Sequence, residues 1–162
     1  MLRPWIFSAI FLLFGLPGQS LAEPQTLVEF CMTQQEAEGG APDSCIGVSV
    51  RSCSERAVTT ADQVECMEFE AMFWSDRLRI FFDELLKHYE SEDAEYESLR
   101  AVAPLFQNTQ EVWETWRDAK CGFVYGEYRG GTMGVPASFY CQMQMTAERA
   151  LEFEALLADV AP

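Results

Sequence analysis

Six cysteines, Cys31, Cys45, Cys53, Cys66, Cys121 and Cys141, constrain this chain more than any other feature, because they follow a segment that reads as a secretory leader. Residues 1–22 carry a short basic start with Arg3, an apolar stretch from Trp5 to Leu16, a Pro17-Gly18 break, and Ser20-Leu21-Ala22 before Glu23. Cleavage is expected after Ala22, leaving residues 23–162 as the mature chain. The apolar stretch is shorter than the about 20 residues a membrane-spanning helix needs. No later stretch is both longer and free of charge, so no membrane insertion is expected once the leader is removed. Export delivers thiols to an oxidising compartment. All six cysteines are therefore expected to be paired, in a periplasmic or secreted protein.

Six cysteines allow fifteen pairings, and the sequence alone does not select one. Loop geometry gives a preference for neighbours. Cys31 and Cys45 flank Gly39-Gly40-Ala41-Pro42, Cys53 and Cys66 flank a polar stretch, and Cys121 and Cys141 flank a glycine-rich one.

About 140 mature residues suit one domain with one core. The chain has 26 acidic and 11 basic residues, a formal charge of −15, and losing Arg3 with the leader makes it one unit more negative. Nucleic acid is disfavoured as a partner, and none is expected, since phosphate binding relies on basic side chains that release counterions. A basic protein is the complementary partner, drawn in by steering of encounter.

Apolar residues recur at intervals of three and four, the helical period, and period-two alternation is scarce. The expected fold is all-α: a disulfide-linked helical bundle with one long central helix. That helix starts at Thr60, with Gln63 in capping-box position, and continues through Val64, Met67, Ala71, Trp74, Leu78, Phe81 and Leu85. It should run about 28 residues, or about 40 Å. A second helical stretch is expected from Asp93 through Tyr96, Leu99 and Val102. Pro104 then starts a fresh helix reaching Val124, with Phe106, Gln110, Trp113, Trp116 or Arg117, and Phe123 on its buried face. Gly126 to Pro136 should be an exposed loop, and Ser138 to Ala158 the last helix. Thr26 to Glu38 and Asp43 to Ser52 read as two short helices near the start.

Enzyme chemistry finds little purchase here. No C-x-x-C occurs and His88 is the sole histidine, so neither zinc ligation nor thioredoxin-type redox chemistry is expected, and no cofactor. No serine sits in a nucleophile elbow, and nothing singles out a catalytic carboxylate pair among the acids. No catalytic residues are assigned.

One stretch is more specific. Phe106-x-x-Thr109-Gln110-x-x-Trp113-x-x-Trp116-Arg117-Asp118-Ala119-x-Cys121, then Gly130-Gly131-Thr132, then Cys141-x-x-x-x-Thr146-x-x-Arg149, resembles the lysozyme inhibitor LprI-like family of secreted bacterial helical proteins. The Cys53 to Cys66 spacing and Glu70, Trp74 and Leu78 are similar to that family's first half. The resemblance covers about Cys45 to Leu157. It departs at Thr109, at Phe106 and Trp116, and at Phe81-Phe82, all packing positions. It implies a disulfide-linked helical domain whose named member inhibits lysozyme.

Read physically, Gln110, Arg117, Asp118 and Arg149 form a structural network between two helices, with Asp118 a candidate partner for Arg149. The partner-binding residues are expected in the glycine loop: Tyr128, Arg129, Gly130, Gly131 and Thr132, framed by Cys121 and Cys141. The function reading is a secreted, non-enzymatic protein that occludes the cleft of a basic lysozyme. The alternative is a periplasmic envelope protein of the same fold that binds another basic partner without inhibiting lysozyme.

Overall fold

The computed structural model describes residues 25–160, so the leader lies outside the described residues. Among the described residues there are five α-helices: α1 (Gln25–Glu38), α2 (Val48–Ser54), α3 (Thr60–Glu95), α4 (Ala103–Glu127) and α5 (Gly134–Val160). A 3-10 turn, Pro42–Cys45, lies between α1 and α2, and no strand occurs among the described residues. The single helix expected over Asp43 to Ser52 is thus two pieces. Gly47, at φ 81°, breaks it in the left-handed region that glycine adopts without strain.

α3 is the central element and, at 36 residues, longer than expected. Its length comes to about 54 Å. The cap is Thr59 and Asp62, one residue earlier than the Thr60 and Gln63 reading. The Thr59 hydroxyl accepts the Asp62 N–H at 3.1 Å, and the Asp62 carboxylate accepts the N–H groups of Thr59 and Val58 at 2.8 and 3.0 Å. At the other end, the acidic run continues α3 to Glu95 and starts no second helix. Between Thr60 and Glu95 there is neither glycine nor proline to stop it. Asp93 instead reaches across the turn, accepting the N–H groups of Val102 and Ala103 at 2.7 and 2.9 Å. It thereby caps α4, and Pro104 sits in that helix's first turn.

α4 and α5 form an antiparallel hairpin whose connection is residues 128–133, shorter at both ends than the loop expected from Gly126 to Pro136. The reversal is concentrated at Arg129 and Gly130, both in the left-handed region at φ 48° and 86°. Gly134 lies against Tyr125; a Cβ there would meet ring atoms at 3.2 and 3.3 Å.

α5 packs along α3 and against α4, whereas α3 and α4 touch each other sparingly. Ala147 and Ala150, fully buried, let α5 approach α3 closely. Trp74, Leu78 and Leu85 of α3, Phe106 of α4, and Met143 and Phe153 of α5 fill the core, with Val28 and Val50 from the short helices. Phe106 is the hub of the aromatic packing, 5.3 Å from Phe82, 5.2 Å from Phe153 and 5.1 Å from Tyr89 between ring centroids. Each such ring stabilises the fold by about 1.5–3 kcal/mol through burial.

The buried side of α4 is Phe106, Gln110 and Cys121, with Trp113 and Arg117 half-buried. Of the alternatives Trp116 and Arg117, Arg117 is the one turned inward, while Trp116 and Phe123 are exposed. At 100° per residue, the phase set by Phe106, Gln110 and Cys121 turns positions 116 and 123 about a quarter-turn or more away from the core. The structure joins Cys31 to Cys45, Cys53 to Cys66 and Cys121 to Cys141, with Cα separations of 5.7, 5.5 and 5.6 Å. They tie α1 to the 3-10 turn, α2 to α3, and α4 to α5. Each closed loop removes about 3 kcal/mol of unfolded-chain entropy.

Candidate functional site

Polar residues of α4 and α5 meet around Trp113. Gln110 is buried; its Oε1 accepts Nε of Arg149 at 3.2 Å and its Nε2 donates to Glu114 at 3.1 Å. The Arg149 guanidinium lies 4.3 Å from the Phe153 ring centroid and 5.6 Å from that of Trp113. The Arg117 guanidinium lies 5.2 Å from Trp113. One indole thus serves two cations from two helices, a contact of about 0.5–2 kcal/mol each.

Asp118 does not join this cluster through Arg149. Its exposed carboxylate pairs with neighbouring Arg117 at 2.9 Å, while Arg149 takes Glu152, one turn along its own helix, at 2.7 Å. Asp118 follows Arg117 by one residue and so points about 100° away from it, toward solvent. The two helices are therefore linked by a glutamine–arginine hydrogen bond and by ring contacts rather than by an ion pair between them.

A second polar centre went unassigned from residue patterns, Glu70 entering only through the resemblance. Its carboxylate is buried on α3 beneath the start of α2. Oε1 accepts the Gly47 N–H at 2.5 Å and the indole Nε1–H of Trp74 at 3.0 Å; Oε2 accepts the N–H groups of Ser49 and Val50 at 3.0 and 3.1 Å. Four donors fill both oxygens, so Glu70 builds the fold and has no lone pair spare for a ligand. The available signal was a carboxylate in the core phase of α3, between Met67 and Trp74.

The loop residues Tyr128, Arg129, Gly130, Gly131 and Thr132 are all exposed at the end of the α4–α5 hairpin. Their backbone is set by the Gly131 N–H donating to the Tyr128 carbonyl at 2.8 Å. Below them, the Cys121–Cys141 bridge and a 3.0 Å hydrogen bond from the Ser138 hydroxyl to the Cys121 carbonyl fasten the hairpin. The result is a braced projection carrying an aromatic and a cationic side chain. The loop and the Trp113 cluster are separate places, one a presented tip and the other a helix–helix joint.

Beside the Phe82, Tyr89 and Phe106 contact, a groove of about 430 Å³ runs between α3 and α4. Leu78, Phe82, Gln110 and Thr146 line its floor, with Arg79, Glu111, Glu114 and Arg117 at its sides. Among the described residues no group of three or more histidines, cysteines, aspartates or glutamates is placed to hold a metal ion. His88 lies 3.6 Å from Glu92 one turn along α3, and its ring adjoins Tyr89. None of the described helices is long and apolar enough to cross a membrane.

The family model described as Lysozyme inhibitor LprI matches residues 53–153. That span takes in α3, α4, most of α5 and two complete disulfides, and leaves out α1 with Cys31–Cys45. A relative described as an uncharacterized 17.7 kDa protein in the puhA 5′ region of Rhodobacter capsulatus is 24% identical over 153 residues, covering 90% of this chain and 93% of its own. No solved structure matches.

Proposed function

Since the chain belongs to the lysozyme inhibitor LprI family, we propose that it is an exported binding protein that occludes the substrate cleft of a basic lysozyme. The family match carries this reading. Two properties of the chain support it: a formal charge of −15, which suits a basic partner, and a braced, exposed loop bearing Tyr128 and Arg129. Residues 1–22 act as the leader that exports residues 23–162 as one domain. The loop Tyr128 to Thr132 enters the cleft, while Gln110, Arg117 and Arg149 hold the hairpin that presents it. No bond is made or broken by this protein in such a role.

Inhibition kinetics against a panel of lysozymes test the reading. Saturable inhibition without turnover of the cell-wall substrate by the protein itself is the expected result, and no response from any lysozyme in the panel discards it. The Tyr128→Ala, Arg129→Ala double variant then locates the contact. Exposed side chains change stability by under about 0.5 kcal/mol, so its melting temperature should stay put while inhibition weakens at least tenfold. Undiminished inhibition would remove the loop as the contact and leave the family-level reading standing.

A further inference from the structure

On α4 the residues Leu105, Thr109, Val112, Trp116, Ala119 and Phe123 follow one another at intervals of four, three, four, three and four. This is the heptad seam spacing of paired helices. Yet it faces away from the core: Leu105 is 43% exposed, Val112 61%, Trp116 59% and Phe123 67%. No described element covers it. Asn108, Thr115 and Gly122 border the seam on one side and Lys120 on the other. Glu111, Glu114 and Asp118, the three carboxylates between Leu105 and Gly126, all lie round the far side of the helix. In a chain with 26 acidic residues, the seam from Leu105 to Phe123 contains none, and the first carboxylate on this face, Glu127, follows one turn beyond its end.

We propose that this face of α4 pairs with the same face of a second copy, the two helices running antiparallel about a two-fold axis. The spacing is its own reverse, so one register matches every seam residue with another: Leu105 with Phe123, Thr109 with Ala119, and Val112 with Trp116. Small meets small at Thr109 and Ala119, and large meets large elsewhere. A two-fold interface requires such self-complementarity. Two copies of a chain with a formal charge of −15 repel one another, and a seam without carboxylates from Leu105 to Phe123 is where they can meet at least cost. The seam is about 27 Å long and its face about 15 Å round, giving roughly 400 Å² per copy. That falls at the low end for specific complexes, so the dimer is a weak one, with a dissociation constant of about 10 μM to 1 mM. The inference stands apart from the inhibitory reading, and no lysozyme enters its test.

Sedimentation equilibrium of the mature, disulfide-bonded protein from about 10 μM to 1 mM tests it. The average mass is expected to rise from monomer toward dimer in the parent and to stay monomeric in Trp116→Glu. Ala119→Glu, at an exposed small residue in mid-helix, serves as a second disrupting variant whose folding is readily checked by circular dichroism. Register is read from two double variants. Thr109→Glu with Ala119→Lys should dimerise at least as well as the parent, because each new charge meets its opposite only in the antiparallel arrangement. Thr109→Glu with Ala119→Glu should remain monomeric. A parent that is monomeric throughout, a dimer that survives both disrupting variants, or two double variants that associate equally would each overturn the proposal.

Discussion

Glu70 is the residue on which the N-terminal third depends. Its carboxylate receives three backbone N–H groups around the start of α2 and the Trp74 indole, and all of these are buried with it. Glu70→Gln keeps the shape but turns one acceptor into an NH₂ facing N–H donors. Stranding a buried donor costs about 1–3 kcal/mol, and more where a charged group was involved. The variant should lose about 2–4 kcal/mol in denaturant unfolding, and a loss under about 0.5 kcal/mol would show that the four hydrogen bonds are dispensable. Residue patterns place Gln110 and Arg117 seven positions apart on one face of α4, and the expected Cys121–Cys141 hairpin brings Arg149 alongside. Three of Glu70's four partners are backbone groups 20 and more positions away, which no side-chain pattern encodes; only the Trp74 indole lies one turn along α3. Asp118, a candidate partner for Arg149, pairs instead with the adjacent Arg117.

At the level of elements, the first turn of α3 is held by a carboxylate and is therefore sensitive to acid. The backbone N–H groups of Thr59 and Val58, then the Thr59 side chain, hold the Asp62 carboxyl below its ordinary value. A carboxyl with a folded-state pKa below its unfolded one contributes stability above the unfolded value. That contribution is lost as pH falls through the folded one. Amides in the first turn of α3 should therefore exchange faster, after correction for intrinsic rates, as pH falls below about 4. In Asp62→Asn that acid-dependent step should be missing; its persistence would assign the effect to another group. Heptad periodicity made α3 and the α4–α5 hairpin legible, since a long apolar stripe has few alternatives. Helix ends were less so. Asp93 reads as one more acid in an acidic run, and only the folded turn shows it capping α4. Trp116 and Phe123 looked like core because they are aromatic, whereas phase decides which side of a helix they occupy.

For the whole molecule, charge of one sign has opposite effects on two kinds of encounter. With a charge of −15, capture of a basic lysozyme should slow as salt rises from about 10 to 500 mM, because the Debye length contracts from about 30 Å to a few ångströms. Stopped-flow association rates should fall tenfold or more across that range, and a flat profile would rule out steering. Among the acids of the run after α3's middle, Glu92, Glu95 and Glu97 are the ones to neutralise in locating the steering surface. Asp93 is not, because its removal would also uncap α4.

The three bridges occur in strict succession along the chain, first with second, third with fourth, fifth with sixth, at separations of 14, 13 and 20 residues. A polypeptide delivered N-terminus first to an oxidising space therefore presents each cysteine's correct mate before any later one has arrived. At about 5–20 residues per second, each partner follows within a few seconds. Oxidation in order of appearance yields the native set, with no rearrangement step, so the order of synthesis itself acts as the guide to correct pairing.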